Sequence, residues 1–274
     1  MNAVINLLVF GNILIALAAG FLTGTFSRFI GVENELWYGI MLFFGTLFIY
    51  SFQRFLRFKE ISNSNSSRHQ WIINNKKKLY FLMIVSGLGA AITFYILVSN
   101  TVALITLVLI CIVSLSYAYR LNNKTTTVRE IPYLKIHIIA LSWTLLAFVW
   151  PVINSDLPFT LNLLWICVAV YLYFIGITIP FDIRDLPYDL KKQKTLPQIL
   201  GVFKSKVVAI ILLLTSCLLL IIIYPDALLN PFLYVAYIVQ ILLVVFTNIA
   251  SKELFFSGGI DGSIVFFGLF WLFQ

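Results

Sequence analysis

The chain has 274 residues, of which 61% are hydrophobic and only 11% charged, and its mean hydropathy is +0.99. Soluble domains carry nearer a quarter charged residues, so the composition excludes an ordinary soluble protein and indicates an all-α polytopic membrane bundle. In such a protein the formal charge of +8 is first a topology signal, not a mark of nucleic-acid binding.

A helix needs about 20 apolar residues to cross ~30 Å of hydrocarbon. Stretches of that kind lie near 3–26, 36–56, 79–98, 101–118, 135–154, 160–180, 206–225 and 229–249. A ninth candidate near 254–273 is interrupted by "SGGIDG", where Gly258, Gly259 and Gly262 argue for a break. A helix that began only at Asp261 would be too short to span upright. The N-terminal stretch has no Lys or Arg before Arg28, so it reads as a first span and not as a secretory signal. About nine transmembrane helices are expected, in one domain over 1–274.

The basic residues fall in register with these spans. Arg54, Arg57, Lys59, Arg68 and Lys76 to Lys78 surround the loop between spans two and three. Arg120, Lys124, Arg129 and Lys135 surround the next even-to-odd loop. Arg184, Lys191, Lys192, Lys194, Lys204 and Lys206 follow span six, and Lys252 follows span eight. Only Arg28 lies on the other side. The positive-inside rule then makes the shared side and the N-terminus cytoplasmic, and the expected setting is a bacterial inner membrane. The long polar loops lie on that side, so the chemistry or the partners are expected there. Lys76 to Lys78 read as a topology signal and an anchor to anionic membrane lipid.

The spans hold almost no charge, with Asn12 and Gln240 the notable interior polar groups. Ion-coupled transporters usually carry ionisable residues at mid-depth, which counts against a small transporter. Cys111, Cys167 and Cys217 all lie in apolar runs with no CxxC pair, so neither a disulfide framework nor a zinc site is expected. His137 reads as a packing or interfacial residue, and His69 sits in a polar loop and receives no role.

The informative stretch is "TIPFDIRDLPYDLKKQKTLPQILG", 178–201. Asp182, Asp185 and Asp189 are spaced by three and four, which places them on one face of a helix. Three such carboxylates repel unless a cation sits among them, and Mg²⁺ commonly bridges carboxylates to substrate phosphates. The plainer alternative is a solvated helix end whose aspartates pair with Arg184, Lys191 and Lys192. Pro187 must end or kink the helix, which would take Asp189 off the shared face.

The same stretch resembles the second aspartate-rich motif of UbiA-type intramembrane prenyltransferases, DxxDxxxD followed by a basic loop and a "TLP" turn. "SYAYRLNNKTTTVREIPYLKIHIIALSW" is similar to the family's segment between its fourth and fifth helices, with Tyr117 at the helix end and Lys135 entering the next. The resemblance implies a nine-helix bundle around a cavity open to lipid. It implies transfer of a prenyl group from a prenyl diphosphate to an aromatic or other lipophilic acceptor, assisted by Mg²⁺. On that basis Asp182, Asp185 and Asp189 are the metal ligands, and Lys135 and Tyr117 face the diphosphate or the reacting oxygen.

One part of the family pattern is missing. Its first motif, NDxxDxxxD, would fall on "YSFQRFLRFKE", where Gln53, Arg54, Arg57 and Ile61 replace the asparagine and the aspartates. Arg54 and Arg57 cannot ligate Mg²⁺. They either bind the diphosphate themselves, pair with Asp182 and Asp185 across a catalytically dead cavity, or anchor the helix at the interface. The expectation is therefore a prenyltransferase, a transferase of alkyl or aryl groups. Its class rival is an inactive protein of the same fold that binds lipid or acts as a scaffold.

Overall fold

The computed structural model describes residues 3–56, 67–117 and 127–274, and every regular element among them is helical. The first expected span is two helices, α1 (Ala3–Phe10) and α2 (Ile13–Phe29), which meet at 57°. The break falls at Gly11 and Asn12, where Asn12 adopts a left-handed φ of 62°, a region that asparagine enters more readily than most residues. Hydropathy runs through this break unmarked.

The other helices are α3 (Glu35–Leu56), α4 (Ser67–Asn74), α5 (Lys76–Leu97), α6 (Thr101–Ser116), α7 (Leu134–Asn154), α8 (Leu161–Asp185), α9 (Leu196–Ile223), α10 (Pro231–Phe246) and α11 (Phe255–Phe273). Every expected span thus falls on helix. Six of them (α3, α5, α7, α8, α9 and α11) are long and apolar enough to cross a membrane, and the bent α1–α2 pair makes a seventh if it is one span. α6 and α10 have 16 residues each and fall short by length. Among the described residues, six or seven helices are thus candidate spans by length and composition, and the expected count of nine is not confirmed.

The expected break at "SGGIDG" is corrected. α11 runs on through it by widening into a π-helical turn at Phe255–Ile260. The Ile260 carbonyl at the end of that turn accepts from Gln240 Nε2 of α10 at 3.2 Å and from Ser263 Oγ at 3.0 Å. A second π-turn, Leu145–Val149 in α7, has a local cause. Pro151 has no N–H to give to the carbonyl four residues back, so the helix loosens there.

α8 is the central helix: 72% of its most apolar stretch is buried, against 11% for α5 and 22% for α9, whose apolar side chains face outward. Around it lies an aromatic core. Phe26 of α2 meets Phe148 of α7 at 4.4 Å between centroids, and Tyr173 of α8 stacks on Phe267 of α11 at 4.3 Å. Such pairs add roughly 0.5–1.5 kcal/mol each beyond the area they bury. α2 and α3 cross with their backbones in contact: a Cβ on Gly20 would lie 2.6 Å from the Gly39 carbonyl oxygen, and one on Gly39 2.7 Å from that of Gly20. Small residues permit this approach where lipid gives helices no hydrophobic drive to associate. At the end away from the aspartates, Asn154 ties α7 to its neighbours by donating to Tyr38 Oη at 2.6 Å and the Leu97 carbonyl at 2.8 Å.

Candidate active site

α8 carries the site. It ends at Asp185, two residues before Pro187, so Asp182 and Asp185 share a face one turn apart. Asp189 lies beyond the helix, yet it does not leave the cluster. The chain folds back after Asp185, and the amides of Tyr188 and Asp189 both donate to the Asp185 carbonyl at 2.8 Å. This turn returns the Asp189 side chain to the other two carboxylates. Gln198 secures it from α9 by donating to the Asp189 and Leu190 carbonyls at 3.3 and 3.2 Å.

The cations come from the segment that leads into α7. Lys135, in the first turn of α7, stands among all three carboxylates: its Nζ is 2.8 Å from Asp182 Oδ1, 3.4 Å from Asp185 Oδ2 and 2.8 Å from Asp189 Oδ2. Arg129 Nη2 bridges Asp185 Oδ2 and Asp189 Oδ1 at 3.2 Å each. Arg184 Nε donates to Asp185 Oδ1 at 2.8 Å, while its guanidinium lies against the rings of Phe181 and Phe256. Two further contacts clip the loops on either side together. Tyr133 N donates to the Gln193 carbonyl at 3.1 Å, and Lys192 pairs with Glu130 at 3.2 Å. Burial opposes the charge on Arg129, but the carboxylates of Asp185 and Asp189 outweigh it and raise its pKa, so Arg129 stays cationic.

The expected residues are therefore placed as follows. Asp182, Asp185, Asp189 and Lys135 come together, and Tyr117, at the end of α6, lines the same cavity. Of the plainer partners for the aspartates, Arg184 does pair with Asp185, whereas Lys192 is drawn to Glu130. Arg54 also lines the cavity, but the cations on the aspartates are Lys135, Arg129 and Arg184. Arg54 instead reaches back to the α1–α2 break, where it donates to the Phe10 carbonyl and to Asn12 Oδ1. It thereby serves carbonyl oxygen left open where α1 ends. Arg57 lies outside the described residues. Arg129 was missed as a site residue, because in sequence it is one more charge in a basic loop. His137 is exposed, with Nδ1 2.6 Å from Tyr171 Oη, in keeping with an interfacial role.

Above the ionic cluster opens a cavity of about 340 Å³. One end is lined by Asn12, Arg54, Tyr117, Arg129, Lys135, Arg184 and Asp185, and the other by Leu42, Trp143, Leu146, Phe174, Ile177 and Ile264. This is the shape of a site for an amphiphile with an anionic head and an apolar tail.

The donor set is of the kind that suits a hard cation. Three carboxylates reach one point, and that point already holds a positive ammonium, which is the partner of the buried Asp182 Oδ1. Oxygen donors of this kind suit Mg²⁺. They stand at ammonium distances, however, and among the described residues no three acidic, histidine or cysteine side chains form a ready-made metal site. The residues fit the ion once Lys135 gives up the position.

No family model matches the chain, and no curated protein matches it in sequence. Its fold is nevertheless that of known proteins. A UbiA homolog from Archaeoglobus fulgidus, solved with GPP and Mg²⁺, superposes with a TM-score of 0.61 at 12% identity, over 98% of this chain and 100% of the other. The apo structure of a UbiA homolog from Aeropyrum pernix K1 gives 0.64 at 14% identity, over 94% and 96%. The protein is thus a polytopic membrane bundle of the UbiA fold, as the resemblance of its two motifs implied.

Proposed function

We propose that the protein is an intramembrane prenyltransferase: it takes a prenyl diphosphate into the cavity and passes the prenyl group to a lipophilic, aromatic acceptor. The observation that supports this most is the joining, in one cavity, of an ionic mouth at Arg54, Arg129, Lys135 and Arg184 to an apolar interior. The neighbour bound to GPP and Mg²⁺ has the same fold, which makes a prenyl diphosphate the natural head-and-tail ligand to test.

In this reading the tail lies among Leu42, Leu146, Phe174 and Ile177, and the diphosphate lies at the mouth. Arg129, Lys135 and Arg184 donate charge-assisted hydrogen bonds to phosphate oxygens, and Arg54 adds to them from the opposite wall. As the C1–O bond breaks, its electron pair leaves with the diphosphate and these cations take up the growing charge. The rings of Trp143 and Phe174, stacked at 4.8 Å, line the cavity and offer π-faces to the allylic cation. The acceptor's nucleophilic atom then bonds to C1 and gives its proton to the departing diphosphate, with the Tyr117 hydroxyl hydrogen-bonding the diphosphate or the acceptor oxygen. Asp182, Asp185 and Asp189 would hold Mg²⁺, which when bound neutralises leaving-group charge. In this reading the mouth faces the cytoplasm from a bacterial inner membrane, which the distribution of basic residues supports.

A second reading has its own observation. Three carboxylates already meet three basic side chains, so the mouth is closed on itself as an inactive lipid-binding or scaffold protein would allow. Transfer assays decide between them. Purified protein in detergent, given GPP, Mg²⁺ and a panel of phenolic acceptors, should release diphosphate and form a prenylated product. Failure with every acceptor, in protein that also fails to bind GPP, would favour the scaffold.

A further inference from the structure

Lys135 stands where a metal ion would have to stand. Its ammonium is within 3.4 Å of an oxygen of each aspartate, and both it and Asp182 are almost fully buried, at 5% and 1% exposure. Arg129 and Arg184 approach Asp185 and Asp189 from the sides, and the cation beside Asp182 is Lys135. We propose that Lys135 is a tethered cation that holds the three carboxylates in the ligand-free protein and exchanges with Mg²⁺ only when the diphosphate arrives. The inference rests on the prenyl-diphosphate reading of the cavity and deepens it.

Mg²⁺ alone is a poor competitor for this position. It would have to shed tightly held water and drive a buried ammonium away from its three anions, with no new anion to receive it. A diphosphate changes the balance. Lys135 also lines the cavity, so its flexible four-carbon stem can carry the ammonium from the carboxylates to a phosphate oxygen. The vacated carboxylates would then be free to hold the metal, and the diphosphate would offer it further oxygen donors. Metal and diphosphate each remove the obstacle to the other, so their affinities are coupled, and the coupling must be reciprocal. The charge on Lys135 is not lost in the exchange, because it follows the leaving group.

The test uses Mn²⁺ as a spectroscopic stand-in for Mg²⁺, with free Mn²⁺ read by electron paramagnetic resonance during titration of the purified full-length protein. No acceptor is present. The parent protein should bind Mn²⁺ at least about tenfold more tightly with GPP than without it, within the usual range of such couplings. Lys135→Met and Lys135→Gln should bind Mn²⁺ without GPP at least about tenfold more tightly than the parent, and GPP should then help less. Equal Mn²⁺ affinity in the parent with and without GPP would overturn the exchange, and that arm needs no variant to fold. Unimproved Mn²⁺ binding in folded Lys135 variants would overturn it too. If GPP fails to bind the parent under any metal condition, the prenyl-diphosphate reading fails instead, and the GPP-free comparison of parent and Lys135→Met still judges whether lysine and metal share one position.

Discussion

Lys135 on α7 and Asp182 on α8 meet at 2.8 Å, with side chains only 6% and 1% exposed. A charge pair so dry is held by its geometry, and removing one member leaves the other without compensation. The two members are not equivalent. Lys135 serves three carboxylates, whereas Asp182 is one of three partners to Lys135.

The first prediction follows from that asymmetry. Lys135→Met should destabilise the bundle by about 3–5 kcal/mol, the usual loss when one partner of a buried pair is removed. Asp182→Asn should lose much less, because Lys135 keeps Asp185 and Asp189 and the like-charge repulsion falls. Thermal unfolding of the two variants in the same detergent checks the order. Equal losses would show that the cluster does not hinge on Lys135.

Transfer activity should separate the aspartates from the rest of the bundle. Asp185→Asn and Asp189→Asn are expected to lower it on the order of a hundredfold or more, the scale for removing an electrostatic stabiliser of a transition state. The fold should persist, which circular dichroism of the purified variants would verify. Full activity in Asp185→Asn would remove the metal role from that residue.

Arg54 has two tasks that can be told apart. As a cap on the α1–α2 break it should lose about 1–3 kcal/mol on truncation to alanine, since hydrogen bonds to charged groups carry that much. Asn12→Ala removes one partner of the same cap and should also destabilise, while it leaves the guanidinium at the mouth in place. If Arg54 also holds diphosphate, Arg54→Ala should weaken GPP binding roughly ten- to hundredfold, and Asn12→Ala, which keeps the charge, should weaken it much less. Matching GPP affinities in the two variants would leave Arg54 with the cap alone.

Much of this arrangement was legible in the sequence, and the illegible parts share a cause. The helices follow from hydropathy, and the pairing of Asp182 with Asp185 follows from helical spacing. Asp189 did not, because Pro187 announces the end of a helix but not the direction of the turn that follows. The two amides on the Asp185 carbonyl set that direction. Arg129 meets an aspartate 56 residues away, so only tertiary structure distinguishes it from its basic neighbours. Gly258 and Gly259 indicated a break, whereas the helix runs through them as a π-turn whose Ile260 carbonyl accepts from Gln240 of α10. Arg54 was read against a family motif, while it donates to the Phe10 carbonyl and Asn12 at a break inside an apolar run.

Packing gives a further check, away from the site. Gly39→Val should place a side chain against the Gly20 carbonyl, which already lies 2.7 Å from where a Cβ would stand. Overpacking of this kind costs about 1–3 kcal/mol, and α2 would be pushed from α3. A lowered unfolding temperature is expected, whereas an unchanged one would mean that the two helices do not cross so closely.

The most direct measurement of the central claim is a thermal-shift titration of the purified protein with GPP and Mg²⁺, alone and together. Both ligands together should raise the unfolding temperature in a saturable way. At a hundred times the dissociation constant the stabilisation should be about 2.7 kcal/mol. Arg129→Ala should move the titration to higher GPP concentration. No shift with GPP and Mg²⁺ together, at concentrations that saturate prenyl-diphosphate sites and in protein that unfolds cooperatively, would contradict a prenyl-diphosphate site and leave a closed ionic cluster in an inactive UbiA-fold protein.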